Sequence, residues 1–161
     1  MTSNIQRINE PYYHSIEDII HKKLELLNLK NGEVLVDLGC GDARNLIEAC
    51  SFAKINCIGY EILPEAIADA HVNIAKSGLK DRIEIRNEDF FETDISTINV
   101  LIIYLTRYAL GALSLKLENE LPKGARIVTH QFDIPAWKAD REIDYLQKNG
   151  QREKIYLYTK K

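Results

Sequence analysis

A doubly wound, mostly parallel α/β sheet of seven strands that ends in an antiparallel hairpin is the fold this sequence predicts. Five short apolar runs alternate with segments of helical periodicity, a glycine-rich turn follows the first run, and the last thirty or so residues read as two strands around one turn. Ser15 and Asp18 have capping-box spacing ahead of Ile16, Ile19, Ile20, Leu24 and Leu27, which predicts a first helix from about Ser15 to Leu29. Asn31 and Gly32 stop it. Val34–Leu38 is too short and too apolar for anything but a buried strand. Asp42–Ala53 reads as a helix and Ile55–Tyr60 as the second strand. Pro64 opens the next helix, which Gly78 closes. Arg82–Arg86 alternates charged and apolar residues, as a strand near a sheet edge does. Ile98–Leu105 is the most apolar run and belongs at the centre of a sheet covered on both faces. A helix to about Glu120 and a turn at Pro122–Gly124 lead into the fifth strand, Ala125–His130. Glu142–Leu146 and Lys154–Tyr158 flank Lys148–Gly150 as a hairpin with a loop longer than two residues. The pattern is five alternating β-α units followed by an antiparallel pair.

At 161 residues, with 45% hydrophobic and 28% charged residues, the chain is expected to be one domain around one core, over 1–161. It has no apolar run near the roughly 20 residues of a membrane span and no secretory h-region, so a cytoplasmic protein with no membrane partner is expected. The formal net charge of −3 argues against nucleic acid as a direct partner, because neutralising phosphates needs clustered Lys and Arg. Cys40, Cys50 and Cys57 are odd in number and lack C-x-x-C spacing, which speaks against both a disulfide framework and a structural zinc. The four histidines form no ligand-spaced pair, so no metal is expected.

In such a sheet, ligands bind beyond the carboxyl ends of the strands, beside the first. Gly39 and Gly41, in the turn Asp37–Asp42, let a ligand approach the backbone. Arg44 stands where a dinucleotide fingerprint needs its third glycine, and the P-loop signature is missing, which leaves a nucleoside without a phosphate chain. Glu61 ends the second strand where an acid can accept both hydroxyls of a ribose, with Ile62 beside it. Asp89 offers a carboxylate to an exocyclic amine, and Phe90 an aromatic surface to a purine. Cys40 lines the turn, and lacking any His or Asn context it is packing and not a nucleophile.

Val34–Asp42, Glu61 and the terminal hairpin resemble the class I, seven-β-strand S-adenosylmethionine-dependent methyltransferases, over nearly the whole chain. Pro11–Ser15, Asp89–Glu92, Tyr104–Thr106 and Leu121–Phe132 are similar to the small archaeal protein-lysine methyltransferases and their mitochondrial relatives. In this chain Ala43 stands where the family usually has glycine, His14 where proline is common, and Gln131 in place of a frequent acid. The resemblance implies a Rossmann-like fold, S-adenosyl-L-methionine as cofactor, and transfer of its methyl group to lysine side chains of proteins. Basic chromatin-type proteins are candidate partners for a monomeric enzyme. It further implies that residues 1–30 form a lid segment and helix, with Tyr12 and Ser15 closing over the methionine part of the cofactor and Asp37 accepting from loop amides or the cofactor's amino group. Tyr104 and Thr106 would line an apolar channel that delivers the lysine amine neutral. Methyl transfer to a small molecule or RNA, or a non-catalytic adenosyl-binding subunit, are the alternatives. The segment Tyr104–Thr106 lacks the Asn/Asp-Pro-Pro-Tyr/Phe element that accompanies planar-amide substrates.

Overall fold

In the computed structural model, residues 17–161 are described. Helix α1 (Glu17–Leu27) exists because Ile19, Ile20, Leu24 and Leu27 recur on one face and bury completely against the sheet. Lys23 falls on that same buried face. Arg126 closes the helix, donating from Nε to the Leu27 carbonyl at 3.0 Å while its guanidinium grips both Glu33 carboxylate oxygens at 2.8 Å. That Arg126 pairing holds the Glu33 carboxyl below the usual carboxylate range.

The strands are β1 (Val34–Leu38), β2 (Asn56–Tyr60), β3 (Ile83–Arg86), β4 (Val100–Ile103), β5 (Arg126–His130), β6 (Arg141–Leu146) and β7 (Arg152–Thr159). Helices α2 (Arg44–Ala49), α3 (Pro64–Lys76) and α4 (Arg107–Glu120) complete the regular structure among the described residues. The sheet order is β3-β2-β1-β4-β5-β7-β6, with β7 antiparallel to both of its neighbours. The chain runs outward from β1 through β2 to β3 and then returns to place β4 on the other side of β1. The switch point therefore lies between β1 and β4, where Asp37 is in register with Ile102 and Leu38 with Ile103.

One face of the sheet buries Leu35, Cys57, Val100, Ile102 and Val128 under α1, α2 and α3. The other buries Val36, Leu38, Leu101, Ile103 and Ile127 under α4 and the loops that follow β3 and β5. This two-sided cover explains why β4 carries an unbroken apolar run and β1 one that only Asp37 interrupts.

Several boundaries differ from expectation. The fourth strand stops at Ile103 instead of Leu105, because Thr106 caps α4 with its Oγ1, which accepts from the Ala109 amide at 3.2 Å, and the chain must turn to reach it. Helix α2 covers Arg44–Ala49 and not Asp42–Ala53, since Ala43 adopts a left-handed φ of 70° that no helix accommodates. The alternation lapses between β3 and β4, where residues 87–99 form turns that cover the sheet with Phe90, Ile95 and Ile98. The terminal hairpin is longer than its apolar cores suggest, and β7 rather than β6 adds to β5.

Candidate active site

The tip of β1 is hung on the tip of β2. The Gly39 and Cys40 amides both donate to the Tyr60 carbonyl, at 2.9 and 3.0 Å, which puts Glu61 directly behind the glycine turn. Glu61 Oε1 accepts from the Gly41 amide at 2.9 Å, and Oε2 accepts from Ile62 and Leu63 at 2.9 and 3.1 Å. A buried carboxylate is thus held rigidly by three backbone donors and keeps acceptor capacity on Oε1 for a ligand hydroxyl. Gly39 has φ 83°, and a side chain there would meet Leu105 at 3.0 Å. Both the backbone conformation and the space require glycine. The Cys40 side chain is buried against Gly59, and burial pushes its thiol above the usual range, so it is inert packing.

Beyond β3, Asp89 Oδ1 accepts from the Phe91 amide at 2.9 Å, while Oδ2 is buried and has no hydrogen-bond partner. A buried acceptor left unmatched by the protein calls for a donor from elsewhere. Phe90 is 1% exposed and packs beneath Gly39, so the expected aromatic surface for a purine is closed: the ring supports the turn from below.

On the other side of β1 lies a buried polar cluster. Asp37, 1% exposed, accepts from Asn45 Nδ2 at 3.3 Å. Burial pushes its carboxyl up to about 7, against the opposing pull of Lys23 and the Asn45 bond. Lys23, fully buried on α1, sits with its Nζ 3.3 Å from His130 Nδ1 and 5.6 Å from the centre of the Tyr104 ring. Burial pushes its ammonium down to about 8, while Asp37 and Glu153 hold it up. His130, at the end of β5, stacks on Tyr104 with ring centroids 3.9 Å apart and bonds Glu153 through Nε2. Burial, reinforced by Lys23, lowers its ionisation far below the ordinary histidine value, so the ring is neutral.

The structure therefore brings Asp37, Gly39, Cys40, Gly41, Glu61, Ile62, Asp89 and Phe90 to neighbouring strand tips, with Tyr104 and Thr106 following β4 on the same side. Tyr12 and Ser15 lie outside the described residues. Sequence reasoning missed Lys23, His130, Glu153 and Gly59. Lys23 carried one signal, a charged residue at a position the helical period assigns to the core.

Comparison with known proteins agrees in kind. A family model described as the ANTKMT methyltransferase domain matches residues 37–141. A protein-lysine N-methyltransferase of Saccharolobus islandicus is 35% identical over 150 residues, covering 92% of each chain. The adenine nucleotide translocase lysine N-methyltransferase of Mus musculus is 28% identical, over 82% of this chain and 57% of its own length. A solved structure described as an RNA methyltransferase from Salinibacter ruber, in complex with S-adenosyl-L-homocysteine, is 32% identical with a TM-score of 0.84, over 91% of this chain and 93% of that one.

Proposed function

The chain belongs to the ANTKMT methyltransferase domain family, and from that premise we propose that it transfers the methyl group of S-adenosyl-L-methionine to lysine side-chain amines of proteins. The observation that carries the reading is the identity, over nearly the full length of both chains, to a protein-lysine N-methyltransferase.

The residues at the strand tips fit the donor. The orphaned Asp89 Oδ2 suits an exocyclic adenine amine, with Phe90 supporting the turn from below and Ile62 an apolar wall. Glu61 suits a ribose diol. Gly39 and Gly41, with Cys40 between them, leave the backbone open to the methionine part, and Asp37 is placed to accept from its amino group. When bound, the donor supplies an electrophilic methyl carbon on a sulfonium. The protein then has only to align that carbon with an uncharged amine and keep water out. Tyr104, its ring held flat by His130, forms the wall along which the amine arrives, and Thr106 shapes the turn beside it. Desolvation along this wall favours the neutral amine over the ammonium.

We place this activity in the cytoplasm, on a single-domain monomer of archaeal type acting on basic, chromatin-type proteins. Among the described residues no helix is long and apolar enough to cross a membrane. The relative described as an RNA methyltransferase supports a second reading, which the net charge of −3 disfavours. Incubation with isotopically labelled donor, a mixture of basic proteins and total RNA, followed by mass spectrometry, separates the two. Labelled lysines are expected. Label confined to RNA, or none transferred despite donor binding, overturns the proposal.

A further inference from the structure

Two of the three cysteines meet in the core towards the amino end of β2, and neither the donor site nor the amine wall uses them. Cys50 caps the end of α2, its amide donating to the Leu46 carbonyl at 3.3 Å. Cys57 lies in β2, in register with Leu35 on β1 and Ile83 on β3. Their sulfurs are 3.9 Å apart. A disulfide holds its sulfurs at about 2.05 Å, so the pair must close by about 1.9 Å to form one. Cys57 is clamped between two strands, whereas Cys50 ends a helix of six residues and leads into turns, so the approach is made from the Cys50 side.

Two features separate this pair from ordinary packing. Arg82 donates from Nε to the Ile55 carbonyl at 3.1 Å and from Nη2 to the Ala53 carbonyl at 2.9 Å, which pins a cation across the segment that joins the two cysteines. The Cys57 thiol donating to Cys50, and after it the Arg82 charge, hold the Cys50 thiol down to about 7 against the push of burial. The thiolate is the nucleophilic form of cysteine. The two sulfurs also differ in access. Cys50 is 9% exposed and is followed by exposed Ser51 and Phe52, while Cys57 is 1% exposed. A water-sized oxidant therefore meets Cys50 first, with Cys57 behind it as a resolving thiol. Cys40 is the internal contrast: burial pushes its thiol up, and its sulfur faces the Gly41 carbonyl at 3.9 Å.

We propose that Cys50 and Cys57 form a reversible redox site, in which a peroxide oxidises Cys50 to a sulfenic acid and Cys57 then closes a disulfide between the end of α2 and β2. In the first step the Cys50 thiolate attacks one peroxide oxygen, the O–O bond breaks, and hydroxide leaves and takes up a proton. In the second the Cys57 sulfur attacks the Cys50 sulfur, the S–O bond breaks, and the Cys57 proton departs with that oxygen as water. Two thiols and one hydrogen peroxide become one disulfide and two waters.

The test uses the full chain, reduced with dithiothreitol and freed of it, treated with a slight excess of hydrogen peroxide at about pH 7, then blocked with N-ethylmaleimide in urea and digested with trypsin. Trypsin cuts after Lys30, Arg44, Lys54 and Lys76, so Cys40, Cys50 and Cys57 fall in separate peptides, 31–44, 45–54 and 55–76. Mass spectrometry is expected to find 45–54 linked to 55–76 and 31–44 carrying the maleimide, and dithiothreitol should release the link. No linked peptide, or linkage through Cys40 as readily, overturns the proposal. In Cys57→Ser the sulfenic acid has no thiol to resolve it, and dimedone should label Cys50 at least tenfold faster than Cys40. Equal labelling of the two, or Cys57 in Cys50→Ser labelled as fast as Cys50 in Cys57→Ser, overturns it. Peroxide added to the wild type in urea should oxidise the three cysteines at similar rates. A preference for Cys50 that survives unfolding overturns the proposal too, since the fold would then not be its cause.

Discussion

Gly59 gives the sharpest mechanical test, because nothing in its backbone requires glycine and everything in its surroundings does. A Cβ built there would lie 2.5 Å from Cys40 Sγ, 2.8 Å from Cys40 Cβ and 3.0 Å from Ile85 Cδ1. Carbon and sulfur in ordinary contact stand well over 3 Å apart, so Gly59→Ala must push Cys40 outward by roughly 1 Å. Cys40 cannot move alone. Its amide donates to the Tyr60 carbonyl and its carbonyl accepts from the Ala43 amide, both at 3.0 Å, so the displacement travels through the turn that Glu61 braces. Overpacking of this kind costs about 1–3 kcal/mol. At about 2–4 °C per kcal/mol for a chain of this size, the midpoint of thermal unfolding should fall by roughly 2–12 °C. Calorimetric affinity for S-adenosyl-L-homocysteine should fall as well. Adding Cys40→Ala removes the 2.5 Å contact but leaves the one at 2.8 Å, so it should restore part of both losses. A Gly59→Ala protein with unchanged stability and affinity, or one that Cys40→Ala makes worse, would refute the reasoning.

Glu61→Ala should weaken S-adenosyl-L-homocysteine binding by about 1.5–3 kcal/mol, the worth of charge-assisted hydrogen bonds, and calorimetry showing full affinity would remove Glu61 from the site. Thr106→Ala deletes the α4 cap and should cost about 1 kcal/mol of stability in urea unfolding, whereas Thr106→Ser should retain most of it; equal losses would mean the hydroxyl does not cap. Asp37 has a stability consequence of definite sign. Its carboxyl stands at about 7 in the folded protein against 3.8 as its ordinary value, so between those limits the folded state holds a proton that the unfolded chain releases. Its contribution is fully present at the acid end and is lost as pH rises towards 7. The stability of Asp37→Asn relative to wild type should therefore climb across this window in denaturant unfolding, and a gap independent of pH would contradict the burial of the charge.

The fold class and the glycine turn were legible because their causes are local. Apolar runs of strand length demand a two-sided sheet, and a turn of Gly39 and Gly41 at the end of β1 marks a backbone that something must approach. Glu61 was legible for the same reason, lying one residue past a strand. The break after Ile103 was hidden because Tyr104 and Leu105 are as apolar as the strand, and only the Thr106 cap ends it. Ala43 adopts a left-handed conformation, which shortens α2 in a way that no period reveals. The Lys23, His130 and Glu153 cluster joins residues 107 and 23 positions apart, so only the folded chain discloses it. Gly59 was passed over because its need for glycine comes from the Cys40 side chain across the pairing of β1 and β2, and not from its own turn.

The account stands most directly on a crystal structure of the chain with S-adenosyl-L-homocysteine. It predicts the adenine amine within hydrogen-bond distance of Asp89 Oδ2, the ribose hydroxyls on Glu61, and the sulfur facing the side of Tyr104. A ligand bound elsewhere, or bound at these tips with Asp89 Oδ2 and Glu61 both untouched, would contradict it.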